Sequence, residues 1–250
     1  SALLALQGGM EGGLAAAELL VGNGNPSGKT VDTFAASLDD YPSTYNFHES
    51  RDYVDYTDDI YVGYRYFETI PGAAEKVIYP FGYGLSYTTF DVETVSAGIM
   101  DASCTSCGAS SVSAASTATA NKLYAKVRVT NTGKAAGKEV VQVYIAKPQG
   151  KLGKPAKELV AFEKTRELLP GESQLMTLTW KINDMASYDD LGKIQKSAYV
   201  LEAGSYDIYV GTSVRDVTKA DFSYILDKDT ITEQLSAKLV PTSLAKRMLA

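Results

Sequence analysis

The chain has 250 residues, 45% of them hydrophobic and 22% charged, with a formal net charge of −6. That balance excludes a disordered chain. It also argues against nucleic acid and anionic membranes as partners, because both are bound through an excess of Lys and Arg. One histidine excludes a His-rich metal site, and two cysteines cannot build a disulfide framework. A complete (β/α)₈ barrel needs about 250 residues by itself, so any second module rules one out. No apolar run reaches the roughly 18 residues of a membrane-spanning helix.

The chain opens at Ser1 on SALLALQGGMEGG, without a basic leader or a cleavage motif. The expectation is a piece of a longer polypeptide with a cytoplasmic location. Ala2–Leu6 reads as a short buried strand. Glu11–Leu20 is rich in Ala and Leu and reads as a helix, stopped by Gly22 and Gly24, with a turn at Asn25-Pro26-Ser27-Gly28. Thr30–Phe34 follows as a strand. Asp39–Asp59 is a long loop holding Tyr41, Tyr45, Tyr53 and Tyr56, and loops of this length are commonly functional. Ile60–Phe67 has strand propensity, and Tyr79–Phe90 is aromatic and punctuated by glycine.

From residue 92 the pattern changes. Strands are predicted at Val92–Ser96, Lys122–Thr130, Glu139–Ala146, Glu158–Lys164, Ser173–Lys181, Gly204–Val210 and Asp221–Ile225, with turn residues between them. About seven short strands at this spacing predict an antiparallel immunoglobulin-like β-sandwich. Leu123, Ala125, Val127 and Val129 form the face expected to be buried. Asp101–Asn121, rich in Ser, Ala and Thr, reads as a flexible excursion. Thr230–Ala250 reads as a helical, slightly basic tail leading towards a further domain. The expected division is therefore 1–91, 92–225 and 226–250, and the expected fold class is α+β to mainly β.

Several long motifs, in order, resemble one family. They are GMEGGLAAAELLVGNGNPSGK at Gly9–Lys29, DYTDDIYVGYRYF at Asp55–Phe67 and YPFGYGLSYTTF at Tyr79–Phe90, followed by VRVTNTG, EVVQVY, KELVAF and LPGE between Val127 and Glu172. They are similar to the C-terminal part of the α/β-sandwich domain of glycoside hydrolase family 3 and to its fibronectin type III-like domain. The resemblance covers about residues 8–225. It implies part of a retaining β-glucosidase that removes terminal non-reducing β-D-glucosyl residues, with no cofactor. It also implies that the nucleophilic aspartate, carried on a barrel, and the acid/base glutamate both lie outside this chain. The implied partners are a β-glucoside or oligosaccharide and the rest of the enzyme, as a complementing chain or fragment. In some bacterial members that the chain resembles, these two modules precede the barrel. The alternative is a non-catalytic carbohydrate-binding or structural accessory module.

A retaining glycosidase needs two carboxyl groups about 5–5.5 Å apart. Glu11 is Gly-flanked, but it reads as a carboxylate serving the start of its own helix. Asp55, Asp58 and Asp59 read as a solvated acidic loop, with Asp58 free to pair with Arg65 or a partner domain. His48, Glu49, Arg51 and Tyr53 sit on the long loop, and such side chains suit sugar faces and hydroxyls. Of these, His48, Arg51 and Tyr53 are the substrate-side candidates. Tyr61, Tyr64, Tyr66 and Tyr87 read as packing residues, and Trp180 as core. Gly82 and Gly84 read as turn residues. Cys104 and Cys107 read as a surface thiol pair, since a zinc site would lack further ligands.

Overall fold

The computed structural model describes residues 3–100, 121–238 and 248. Cys104 and Cys107, and with them most of the predicted excursion, lie outside the described residues.

The sandwich supplies the rigid body. Its first sheet holds β3 (Phe90–Met100), β4 (Lys122–Asn131) and β7 (Ser173–Lys181) in the order β3-β4-β7. Its second holds β5 (Val140–Ala146), β6 (Glu158–Lys164), β10 (Gly204–Gly211) and β11 (Val217–Leu226) in the order β11-β10-β5-β6. All pairings are antiparallel. These are the seven strands that the alternation predicts. Leu123, Ala125, Val127 and Val129 are fully buried, and they pack with Val141, Val143, Ile145, Met176, Leu178, Trp180 and Ile208 in one core. The period-2 alternation works because one face of each sheet must leave water. Tyr124, on the opposite face of β4, is also buried, with its ring against Gly98.

A third sheet was not expected from sequence. Strands β8 (Ser187–Asp189), β9 (Ala198–Leu201) and β12 (Thr230–Gln234) pair in the order β12-β9-β8. Thr230–Gln234 is thus a strand, which corrects the helical reading of the tail's start. Ile231 and Thr230 align with Val200 and Leu201, so backbone pairing overrides the modest helix propensity of EQLSAKL.

The segment before residue 90 is mostly irregular. Helix α1 (Gly12–Val21) forms as predicted and ends at Gly22, whose φ of 80° gives the left-handed cap that glycine adopts without a Cβ penalty. Glu11 occupies the N-cap position, but its side chain makes no capping hydrogen bond. Residues 3–6 are not a strand. The Thr30–Phe34 strand shrinks to β1 (Phe34–Ala35), paired with β2 (Val77–Tyr79). Ile60–Phe67 is also not a strand. Gly63 turns the backbone at φ 59°, and Tyr64–Phe67 forms a single helical turn, α2. Among the described residues no strand pairs with this stretch, so its aromatic strand propensity is not expressed.

Candidate functional site

The N-terminal segment is fixed to the sandwich along one seam. Lys29 Nζ lies 2.7 Å from Glu139 Oε1. Asn25 of the Asn-Pro-Ser-Gly-Lys turn donates Nδ2 to Ala136 O at 2.8 Å, and its Oδ1 accepts from Ser86 Oγ at 2.9 Å and Tyr87 N at 2.8 Å. Gln142 on β5 donates Nε2 to Gly82 O and Thr212 O. Val214 N donates to Phe81 O, and Leu159 N to Tyr64 OH. Arg215 donates Nε to Glu68 Oε1 at 2.8 Å and an Nη to Ala74 O at 2.9 Å. The Tyr64 ring packs on Phe81 and edge-on to Tyr144. Burial pushes the Tyr144 hydroxyl far up, so it stays a neutral donor and points to Gln142 Oε1.

Tyr64 and Tyr66 are half-buried and Tyr61 is buried, as packing residues should be. Tyr87 is the exception: it is exposed and ties its hydroxyl to Leu19 O at 2.8 Å. Gly82 sits at φ 80°. A Cβ on Gly84 would press into the backbone of Gly28. Both glycines therefore serve close backbone turns.

The long loop is built from short turns. Ser37 and Asp40 form a reciprocal cap on the first 3₁₀ turn, Leu38–Asp40, which Lys76 grips through Asp40 at 3.2 Å. Tyr41 OH donates to Thr33 O at 2.7 Å and accepts from Ala35 N at 2.9 Å, so it holds the loop's start against β1. Asn46 Nδ2 donates to Asp55 O and Thr57 Oγ1, closing the loop's end.

These flanks enclose a cleft of about 370 Å³ lined by Asp32, Thr33, Phe34, Tyr41, Asp58 and Phe67, among others. Asp58 is half-buried, and burial pushes its carboxyl above the usual carboxylate range. Asp58 is thus partly withdrawn from water, where its sequence context reads as a solvated loop. It does not pair with Arg65 among the described residues. The sequence signal for Thr33 was nil, because a hydroxyl's partners are set by packing that a sequence does not display.

His48, Arg51 and Tyr53 are all exposed, at the loop's outer span and not in the cleft. The His48 ring packs on Phe47 with centroids 3.7 Å apart. No hydrogen bond joins the three among the described residues. Nor, among those residues, do three or more His, Cys, Asp or Glu side chains gather in a group that could hold a metal.

The architecture defines a class: a seven-stranded fibronectin-like sandwich onto which an aromatic, Gly-rich segment is fixed. The comparisons make it specific. Residues 1–87 match the glycosyl hydrolase family 3 C-terminal domain and residues 139–214 the fibronectin type III-like domain. The chain is 62% identical over all of its 250 residues to β-glucosidase A of Butyrivibrio fibrisolvens, of which it spans 30%. It is 44% identical over 244 residues to a β-glucosidase of Ruminococcus albus, of which it spans 23%. A β-glucosidase crystal structure from Paenibacillus barengoltzii superposes with a TM-score of 0.81 at 45% identity, covering 93% of this chain and 24% of that one. β-Glucosidase 3B from Thermotoga neapolitana, in complex with α-D-glucose, gives 0.74 at 38% identity, covering 91% of this chain and 28% of that one. The chain belongs to glycosyl hydrolase family 3, and it spans less than a third of the relatives it matches.

Proposed function

We propose that this chain is the scaffold portion of a β-glucosidase that removes terminal non-reducing β-D-glucosyl residues by the retaining mechanism. The observation that carries this reading is the 62% identity to β-glucosidase A across the whole chain. A retaining glycosidase pairs a nucleophilic carboxylate with an acid/base carboxyl about 5–5.5 Å away. In this reading both groups belong to parts of the enzyme beyond this chain. The chain's own residues orient them indirectly, by fixing residues 1–91 to the sandwich of residues 92–225, with 226–250 as the tail.

An exposed apolar face supports a need for the remaining enzyme. Helix α1 buries none of its residues, although its sequence is GGLAAAELLV. Leu14, Leu20 and Val21 are exposed, as are Phe34, Val62, Ile78 and Tyr79 further along the segment. Apolar surface this extensive marks an interaction site, and the rest of the α/β sandwich is the partner it fits. His48, Arg51 and Tyr53 project from the same segment, and we assign them to the substrate side of the complete enzyme.

Hydrolysis of an aryl β-glucoside tests the reading. The complete polypeptide is expected to turn over, and residues 1–250 alone are not. Turnover by the 250-residue chain alone would overturn the assignment of both carboxylates elsewhere. Carbohydrate affinity without turnover in the complete polypeptide would replace it with a binding module.

A further inference from the structure

Residues 32–59 carry eight Asp or Glu side chains and a single Arg, Arg51. Two of those acids, Asp32 and Asp58, line the cleft. Asp58 is half-buried, and neither carboxylate forms an ion pair among the described residues. Thr33 stands beside them and is 3% exposed. Its carbonyl accepts from Tyr41 OH at 2.7 Å, but its Oγ1 has no hydrogen-bond partner among the described residues. A buried hydroxyl without a partner is costly, and so is a carboxylate drawn out of water without a cation. Phe34, Tyr41 and Phe67 add aromatic surface to the same walls, with Tyr41 edge-on to Phe67 at 5.4 Å between centroids. The cleft therefore combines two anionic acceptors, one open hydroxyl and three rings.

That combination selects its occupant. A neutral polyol would leave both carboxylates uncompensated. An ammonium would compensate a carboxylate, but it is a compact, strongly hydrated charge with no flat face. A guanidinium meets every requirement: it is always charged, presents five donors in one plane, is weakly hydrated and lies against aromatic rings. It can give two parallel hydrogen bonds to one carboxylate and a further one to a hydroxyl, while its face stays on an aromatic wall. Arg51 and Arg65, the arginines nearest in sequence, pair with neither aspartate among the described residues.

We propose that this cleft is the socket for an arginine of the remaining part of the enzyme, held by Asp58, Asp32 and the Thr33 hydroxyl. Two of the walls, Phe34 and Val62, belong to the exposed apolar residues that include Ile78 and Tyr79. The chain spans 30% and 23% of the two β-glucosidases it matches, so most of such an enzyme lies beyond it. The inference rests on the reading that the remaining enzyme covers this face, and it adds the chemistry of the contact. The apolar residues supply area. The guanidinium fixes the register, since a planar fork of donors meets its carboxylate in a defined orientation.

Phenylglyoxal, which modifies accessible arginines, tests the socket on the complete polypeptide, with the modified positions mapped by mass spectrometry. One arginine beyond residues 1–250 should be protected in the unsubstituted enzyme. Asp58→Asn should raise its reactivity at least about tenfold, because the hydrogen bonds lose their charged acceptor. Thr33→Val keeps the shape and removes the hydroxyl, and it should raise the same reactivity several-fold. A hydroxyl with a purely structural role would leave it unchanged. Asp52→Asn, at an exposed acid of the same loop outside the cleft, should also leave it unchanged. Hydroxyl-radical oxidation of the same sample separates the socket from the reading beneath it. Tyr79 and Tyr188 are 43% and 40% exposed in this chain, so Tyr79 should oxidise several-fold more slowly than Tyr188 once its face is covered. If Tyr79 is protected but no arginine beyond residues 1–250 responds to the Asp58 and Thr33 variants, the socket is overturned while the covered face stands. The same holds if an arginine of residues 1–250 responds instead. If Tyr79 oxidises as fast as Tyr188, the covered face falls and the socket with it.

Discussion

Lys29 and Glu139, the residue before β5, face each other at 2.7 Å across the seam between the N-terminal segment and the sandwich, with side chains only 13% and 10% exposed. Glu139 also accepts from its neighbour Val140 N at 2.6 Å. Removing one member of a nearly buried pair leaves the other charge out of water without compensation, at a cost of about 3–5 kcal/mol. Lys29→Met should therefore lower the unfolding free energy by an amount near the bottom of that range. Lys29→Met/Glu139→Gln should recover much of the loss. Urea unfolding of the four chains in a double-mutant cycle measures the coupling. A coupling near zero would mean that the seam is held by its neutral hydrogen bonds alone.

The sandwich core predicts a sharp contrast between adjacent strands. Leu123 on β4 is fully buried, whereas Leu175 on β7 is exposed. Leu123→Ala should cost about 2–5 kcal/mol through lost transfer energy and a residual cavity. Leu175→Ala should stay within about 0.5 kcal/mol. Chemical denaturation of both variants checks the burial assignment directly.

Gly82 and Gly171 share a φ of 80°, but only Gly82 is crowded. A Cβ at Gly82 would meet the Gln142 amide, with its carbon at 2.8 Å, while Gly171 has open space. Gly171→Ala should cost only the left-handed backbone penalty of about 1–2 kcal/mol. Gly82→Ala should cost at least about 1 kcal/mol more, because Gln142 must move and give up its bonds to Gly82 O and Thr212 O. The difference in midpoint between the two variants is the measurement. Equal midpoints would mean that the Gln142 bridge does not hold the Tyr79–Phe90 segment on the sandwich.

Arg51 and Tyr53 carry the substrate-side assignment. In the complete enzyme, Arg51→Ala/Tyr53→Ala should raise KM for an aryl β-glucoside several-fold with little change in thermal stability, since both side chains are exposed. An unchanged KM would remove these residues from the substrate side and leave them as solvated loop.

The sandwich was legible because each of its seven strands has enough residues to show alternation, as Leu123, Ala125, Val127 and Val129 do, and because Asn-Thr-Gly and Pro-Gly mark the turns. The third sheet was not, since β8 and β9 have only 3 and 4 residues and cannot display a period. Ile60–Phe67 misled for a different reason: its aromatics favour a strand only where a neighbour can pair with it, and Gly63 instead starts a helical turn. Asp58 was visible as a member of an acidic cluster, but its burial was not. The cleft that Asp58 shares with Phe67 is lined on its other side by Asp32–Phe34, more than twenty positions away in sequence. Thr33 gave no signal at all, because an unpaired hydroxyl exists only relative to its folded surroundings.

Asp189 gives a prediction in pH. Burial opposes its ionised form, but its two oxygens accept four backbone N–H groups, from Gly192, Lys193, Ile194 and Gln195, at 2.7–3.1 Å. The donors prevail and hold its carboxyl below the usual range. A carboxyl depressed on folding stabilises the folded state at pH values above its unfolded pKa, about 3.9. That contribution fades as pH falls below this value and through the folded pKa. Asp189→Asn, which keeps one carbonyl acceptor but no charge, should therefore be destabilised at pH 7 and lose most of that deficit in acid. Urea midpoints of the two chains measured from pH 7 down to about pH 3 should draw progressively closer. A deficit that stays constant across this range would show that the loop from Gly192 to Gln195 is held by the acceptor's shape and not by its charge.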